Sequence, residues 1–130
     1  MIFTGKRKKS IARASVTKGS GLVRVNSLPL QLYMPDLERL RMQEPLILAG
    51  EDVINKLEIN VIVTGGGISG QTDAARTAIA KAIVGFTKNE VVKKQFKEYD
   101  RSLLVSDMRG KETSKPGGHG ARNRRQKSYR

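Results

Sequence analysis

Residues 57–86 constrain the fold more than any other stretch. Leu57, Ile59, Val61 and Val63 alternate with Glu58, Asn60, Ile62 and Thr64, the period of a half-buried strand with one wet or partner-facing side. Gly65-Gly66-Gly67-Ile68-Ser69-Gly70 follows. Ala75, Ala78, Ile79, Ala82, Ile83 and Phe86 then recur at helical spacing and form one apolar stripe. The alanines let such a helix sit close on a sheet. Asp73, Arg76, Thr77 and Lys81 are expected on its outer face.

The flanking segments complete a small α/β body. Ala12, Ala14 and Val16 share one face of a strand over 11–17, opposite Arg13, Ser15 and Thr17. Turn chemistry at Lys18-Gly19-Ser20-Gly21 and a short strand at Leu22–Asn26 suggest a hairpin. Leu28–Tyr33 supplies a third short strand, which Pro29 confines to an edge or a strand start. Pro35 opens a helix favoured by Asp36 and Glu38, Pro45 interrupts it, and Gly50 ends the turn that follows. A further helix covers roughly Glu90–Tyr99. The expected architecture is α+β, a two-layer sandwich of one mostly antiparallel sheet with helices on one face.

At 130 residues with 38% hydrophobic content, one core is the default. The absence of cysteine removes disulfides, thiolate metal sites and a Cys nucleophile. No apolar run approaches the ~18 residues of a membrane span, and the basic N-terminus has no apolar segment behind it as a secretory signal would. A soluble, intracellular chain without a membrane partner is expected.

Charge is divided unevenly. Residues 1–35 hold seven basic and no acidic residues, residues 36–108 hold ten and eleven, and residues 109–130 hold eight and one. The net charge of +13 therefore lies on two arms around a near-neutral body, the pattern of interaction tails. Residues 1–108 are read as one domain with a basic N-terminal arm, and residues 109–130 as an extended basic tail. Lys111–Arg130 has no aliphatic residue larger than Ala121, so burial alone cannot offset its ordering entropy. Extended, the tail reaches roughly 70 Å. With no acid over residues 113–130, nothing is expected to neutralise it internally.

The glycine segment literally matches G-x-G-x-x-G, but no second parallel strand with a terminal acid follows the helix, and no Gly-Lys-Ser/Thr completes a P-loop. Three readings stand: a turn needing positive φ and close packing, a helix N-terminus with Ser69 holding a nucleic-acid phosphate, or dinucleotide binding. His119, the only histidine, lies in Gly117-Gly118-His119-Gly120 with no partner to orient it, and suits a spacer or stacking group. The acids have no metal-ligand spacing. No enzyme, metal or cofactor is expected.

Lys6-Arg7-Lys8-Lys9 precedes the first expected strand, and residues 120–130 mix five cations with amides, a hydroxyl and one tyrosine. Cations and donors contact phosphates, and Tyr or Arg planes stack on unpaired bases. Nucleic acid is the expected partner. RNA is favoured over DNA because no helix-turn-helix, zipper or zinc finger is present.

Five stretches carry a family resemblance: Gly5-Lys6-Arg7-Lys8-Lys9-Ser10-Ile11-Ala12-Arg13-Ala14, Glu44-Pro45-Leu46, Gly65–Gln71, Tyr99-Asp100-Arg101-Ser102-Leu103-Leu104-Val105, and Arg125-Gln126-Lys127-Ser128-Tyr129-Arg130. Together they resemble the family of ribosomal protein nine of the small subunit, over nearly the whole chain. The ending Gln-Lys-Ser-Tyr-Arg resembles its archaeal and eukaryotic branch, and the archaeal side is favoured. In that branch Asp-Pro-Arg-Arg is usual where this chain has Asp107-Met108-Arg109-Gly110, a departure that bears on the rigidity of the tail's exit.

The resemblance implies a fold like the second domain of ribosomal protein five, with a left-handed crossover. It also implies a structural constituent of the small subunit, cytoplasmic and in the ribosome, that binds rRNA in the head among neighbouring ribosomal proteins. The tail would reach the anticodon stem-loop of the peptidyl-site tRNA. Candidate rRNA-binding residues are Lys6, Arg7, Lys8, Lys9, Arg13, Gly66, Gly67, Ser69, Gln71, Arg109, Arg122, Arg124 and Arg125; candidate tRNA-binding residues are Lys127, Ser128, Tyr129 and Arg130. No homo-oligomer is expected. The rival from another class is a free-standing RNA chaperone or DNA-compacting protein.

Overall fold

The computed structural model describes residues 1–128. Five strands, β1 (Ile2–Arg7), β2 (Ser10–Lys18), β3 (Val23–Val25), β4 (Leu28–Pro29) and β5 (Leu57–Thr64), form one sheet in the order β1-β2-β5-β3-β4. The β1/β2, β2/β5 and β3/β4 pairs are antiparallel and β3/β5 is parallel. The helices are α1 (Asp36–Ala49), α2 (Glu51–Ile54), α3 (Ile68–Thr87) and α4 (Glu90–Tyr99). Short 3-10 turns lie at Leu30–Leu32 and Arg101–Leu103. Among the described residues no helix or strand follows Leu103.

The central strand β5 buries Leu57, Ile59, Val61 and Val63 and turns Glu58, Asn60, Ile62 and Thr64 away from the core. Ala12, Ala14 and Val16 of β2 share that inner face, against Ala75, Ala78, Ile79, Ala82 and Ile83 of α3. The expected stripe is thus the core face, with Phe86 only partly buried at its end. Gly5 lets α3 approach β1 closely, because a Cβ there would collide with the carbonyl of Ala74 and the amide of Ala78. The opposite face of the sheet is open.

Four expectations are corrected. The N-terminal cations are no free arm, since Ile2–Arg7 is a strand paired with β2 through the two-residue turn Lys8-Lys9. Lys8 adopts a left-handed φ of +53° there. The expected hairpin between β2 and β3 does not form, because β5 inserts between them. It pairs with β2 over eight residues, from Ile11 opposite Thr64 to Lys18 opposite Leu57, whereas β3 has only three residues to offer.

Pro45 does not interrupt α1, which runs through it to Ala49 and ends at Gly50 (φ +82°). A proline removes one helical hydrogen bond, and here burial of Met42, Pro45 and Ala49 on one side holds the helix together across the gap. Finally, Asp73, Arg76, Thr77 and Lys81 are not a solvated face. α1 packs along α3, Thr77 is buried, Arg76 pairs with Glu44 and Asp100, and Lys81 donates to the carbonyl of Thr4 and the hydroxyl of Ser106.

Candidate nucleic-acid interface

A groove of about 940 Å³ opens where the β1–β2 turn, the β5–α3 loop and the first tail residues converge. Its rim carries Arg7, Lys8 and Lys9 from the turn, Gly66, Gly67 and Ser69 from the loop, and Arg109 and Lys111 from the tail root.

The glycine loop is shaped locally. Gly65 and Gly66 have φ of +77° and +68°, values that L side chains adopt only with strain. The buried Ser10 fixes the loop by donating its hydroxyl to the Gly65 carbonyl at 3.0 Å, and Gln71 Nε2 donates to the same oxygen at 3.1 Å. A Cβ on Gly66 would collide with Ser10 Oγ. Gly67 caps α3 without a side-chain hydrogen bond, and the first helical bond runs from the Gln71 amide to the Gly67 carbonyl at 2.9 Å. The amides of Ile68, Ser69 and Gly70 thus face the groove end without intrahelical partners. The positive end of the helix dipole adds to the cations around them.

Charge pairing then sets which cations are free to act. Asp107 accepts from Arg7 and from Arg109, the latter through the backbone amide at 2.8 Å, Nε at 3.0 Å and Nη2 at 2.8 Å. The Arg109 hydrogen bonds, helped by the charges of Arg109 and Arg7, hold the Asp107 carboxyl down at about 2. Asp73 is engaged by Arg41 at 2.7 Å and Arg7 at 3.5 Å. Lys8, Lys9 and Lys111 are exposed and belong to none of these pairs.

The remaining expected residues lie elsewhere. Lys6 and Arg13 occupy the open face of the sheet, where Arg13 stands between Thr4 and Ile62 on the neighbouring strands. Gln71 serves the loop itself. Arg122 is bound two-pronged to Glu112, at 2.9 and 2.6 Å, so one tail cation is neutralised internally by an acid ten residues earlier, contrary to expectation. That hydrogen bond lowers the Glu112 pKa. Arg124, Arg125, Lys127 and Ser128 are exposed, while Tyr129 and Arg130 lie outside the described residues. Lys111 was missed as an interface residue; its signal was its place among the first cations of an almost acid-free tail.

Besides its cations and backbone amides, the groove is lined by the Asp73 carboxylate, the Ser10 hydroxyl and Ile68. Among the described residues no three His, Cys, Asp or Glu side chains are grouped to hold a metal ion. Cations and free amides of this kind are chemically able to pair with phosphate oxygens.

Comparison with known proteins adds the family. The model of a family described as ribosomal protein S9/S16 matches residues 5–130. The small ribosomal subunit protein uS9 of Thermoplasma acidophilum is 49% identical over 130 residues, covering 100% of both chains. Its counterparts in Halobacterium salinarum and Methanothrix thermoacetophila are each 48% identical over 127 residues, covering 98% of this chain and 96% of the relative.

Proposed function

The chain belongs to the ribosomal protein S9/S16 family, and from that premise we propose how its groove and tail serve the small subunit. Membership makes it a structural, non-catalytic component of the small ribosomal subunit, at work in translation in the cytoplasmic ribosome. In the reading proposed here, Lys8, Lys9, Lys111 and the free amides of α3 bind the backbone phosphates of rRNA in the subunit head. Arg7 and Arg109 hold the groove's two walls together through Asp107. Lys6 and Arg13 add contacts from the open sheet, and Arg122, Arg124 and Arg125 follow the rRNA along the tail. Lys127, Ser128, Tyr129 and Arg130 meet the peptidyl-site tRNA at its anticodon stem-loop. Contacts to the backbone suit that task, since every tRNA must be accepted whatever its sequence. The tail, residues 109–130, acts apart from the domain over 1–108, whose fold is read as that of the second domain of ribosomal protein five with its left-handed crossover.

The observation that carries this reading is the convergence of three remote segments on one cationic groove. Its test is salt dependence. Changing Lys8→Gln and Lys9→Gln together is expected to weaken binding to small-subunit rRNA about equally for all sequences tried. The slope of log K against log salt should fall by roughly 1–2. An unchanged slope sinks the groove as the phosphate site. Equal affinity for duplex DNA, with loss from the subunit in a high-salt wash, favours the free-standing chaperone instead.

A further inference from the structure

The sheet packs its inner face on α3, and among the described residues no element covers the other face. Register sets Thr4, Arg13 and Ile62 side by side there, across β1, β2 and β5, with Lys6, Ile11 and Thr64 in the next row. The only acid on this face is Glu58, which Arg24 neutralises at 2.9 Å. Lys6 and Arg13 belong to no ion pair among the described residues. As diagonal neighbours on adjacent strands they stand roughly 7–8 Å apart. The unpaired charge of the open face is therefore wholly positive.

Its uncharged groups narrow the choice of ligand. Side chains reach Thr4 and Asn60 only at their backbone carbonyls, from Lys81 and Ser15, which leaves the Thr4 hydroxyl and the Asn60 amide free to pair outward. None of the described aromatic rings lies on this face. Phe3, Tyr33 and Phe86 pack against the core, Phe96 is buried, and Tyr99 ends α4.

We propose that the open face docks in the minor groove of a double-helical segment of small-subunit rRNA. This rests on the ribosomal reading above and deepens it, from phosphate contacts to one groove of one form of RNA. Proteins hold unpaired bases by stacking them on aromatic rings, and this face offers none. The major groove of an A-form helix is deep and narrow, closed to a sheet. The minor groove is wide, shallow and lined by 2′-hydroxyls. The three strands present a surface roughly 10 Å across and, over the eight paired residues of β2 and β5, about 26 Å long. Thr4, Thr64 and Asn60 meet the 2′-hydroxyls, and Ile62, 62% exposed, packs on ribose rings. Lys6 and Arg13 take the flanking phosphates. The face also runs straight into the cationic groove, because Lys6 leads to Arg7 and Thr64 to the glycine loop.

The first test assembles the full-length chain into small subunits, with a photo-reactive phenylalanine analogue in place of Ile62, and irradiates them. The expected adduct is with an rRNA nucleotide inside a base-paired helix. An adduct with an unpaired nucleotide or with a protein overturns the proposal, as does an incorporated chain that yields no adduct. Absence of the unsubstituted chain from subunits would instead show that the ribosomal reading fails. The second test needs no subunit. Minor-groove docking reads shape more than sequence, so a short synthetic RNA duplex serves as probe for the free full-length chain. Replacing the duplex 2′-hydroxyls by 2′-O-methyl groups should weaken binding about fivefold or more, as should Thr4→Val with Thr64→Val on the unmodified duplex. Equal affinity for the two duplexes, or tighter binding of the unpaired strand, refutes the minor groove as the docking site.

Discussion

Arg7 and Asp107 stand 100 residues apart in the chain and are paired, guanidinium to carboxylate. The pair ties the edge strand β1 to the root of the tail. Asp107 also grips Arg109, so the tail begins at a fixed point on the rim of the groove. Met108 follows this aspartate, and the two ion pairs of Asp107 set the direction in which the tail leaves.

The pH dependence of this junction follows from its sign. Asp107 titrates at about 2 in the folded chain, below the ordinary value near ~3.9. Its stabilising effect is therefore complete above that ordinary value and is lost as pH falls through about 2. Arg109→Gln should move the Asp107 midpoint up towards the ordinary range, and Arg7→Gln should move it less. Carboxyl carbon shifts followed by NMR titration check both; a midpoint unmoved in Arg109→Gln refutes the assignment.

Gly66→Ala should lower stability by about 1–3 kcal/mol, since the residue must hold a strained φ and its new methyl meets Ser10 Oγ. Combining it with Ser10→Gly should cost less than the sum of the two single changes, because the collision disappears. Urea unfolding of the four chains measures this, and strict additivity would show that the contact is irrelevant.

Gly5→Val should destabilise by a similar amount, on the order of 1–3 kcal/mol, through the forced separation of α3 from β1. Hydrogen exchange should locate the damage in Ile2–Arg7 and its ladder to β2, leaving the β3/β5 pairing protected. Uniform loss of protection across the sheet would argue against a local wedge.

Deleting residues 127–130 should leave thermal unfolding and incorporation into subunits unchanged while weakening peptidyl-site tRNA binding. Filter binding across a salt series decides the matter. Equal tRNA affinity at every salt concentration would remove the tail tip from the tRNA interface.

Much of the body could be read from periodicity because each element buries one face. The alternation of β5 and the stripe of α3 are the direct imprint of a single core, and α4 spans the expected residues 90–99. β1 escaped for a physical reason. Its inward positions are Phe3, Gly5 and Arg7, and the close approach of α3 demands the glycine that erases the apolar signal. The pairing of β2 with β5 escaped because strand partners that lie 39 to 53 residues apart in the chain leave no local trace. At the groove, the lysines and glycines were evident one segment at a time. Their meeting with Arg109 and Lys111 depends on Arg7 finding Asp107, which no spacing rule announces.

Closing Glu112 onto Arg122 takes a loop of ten residues out of the tail's contour, about 33 Å at full extension. Both side chains are more than half exposed, so solvent and salt weaken the pair, and a phosphate offers Arg122 an equivalent two-pronged acceptor. Under the proposed reading, an rRNA phosphate that took Arg122 over would open this loop, and the released residues would let the chain reach farther.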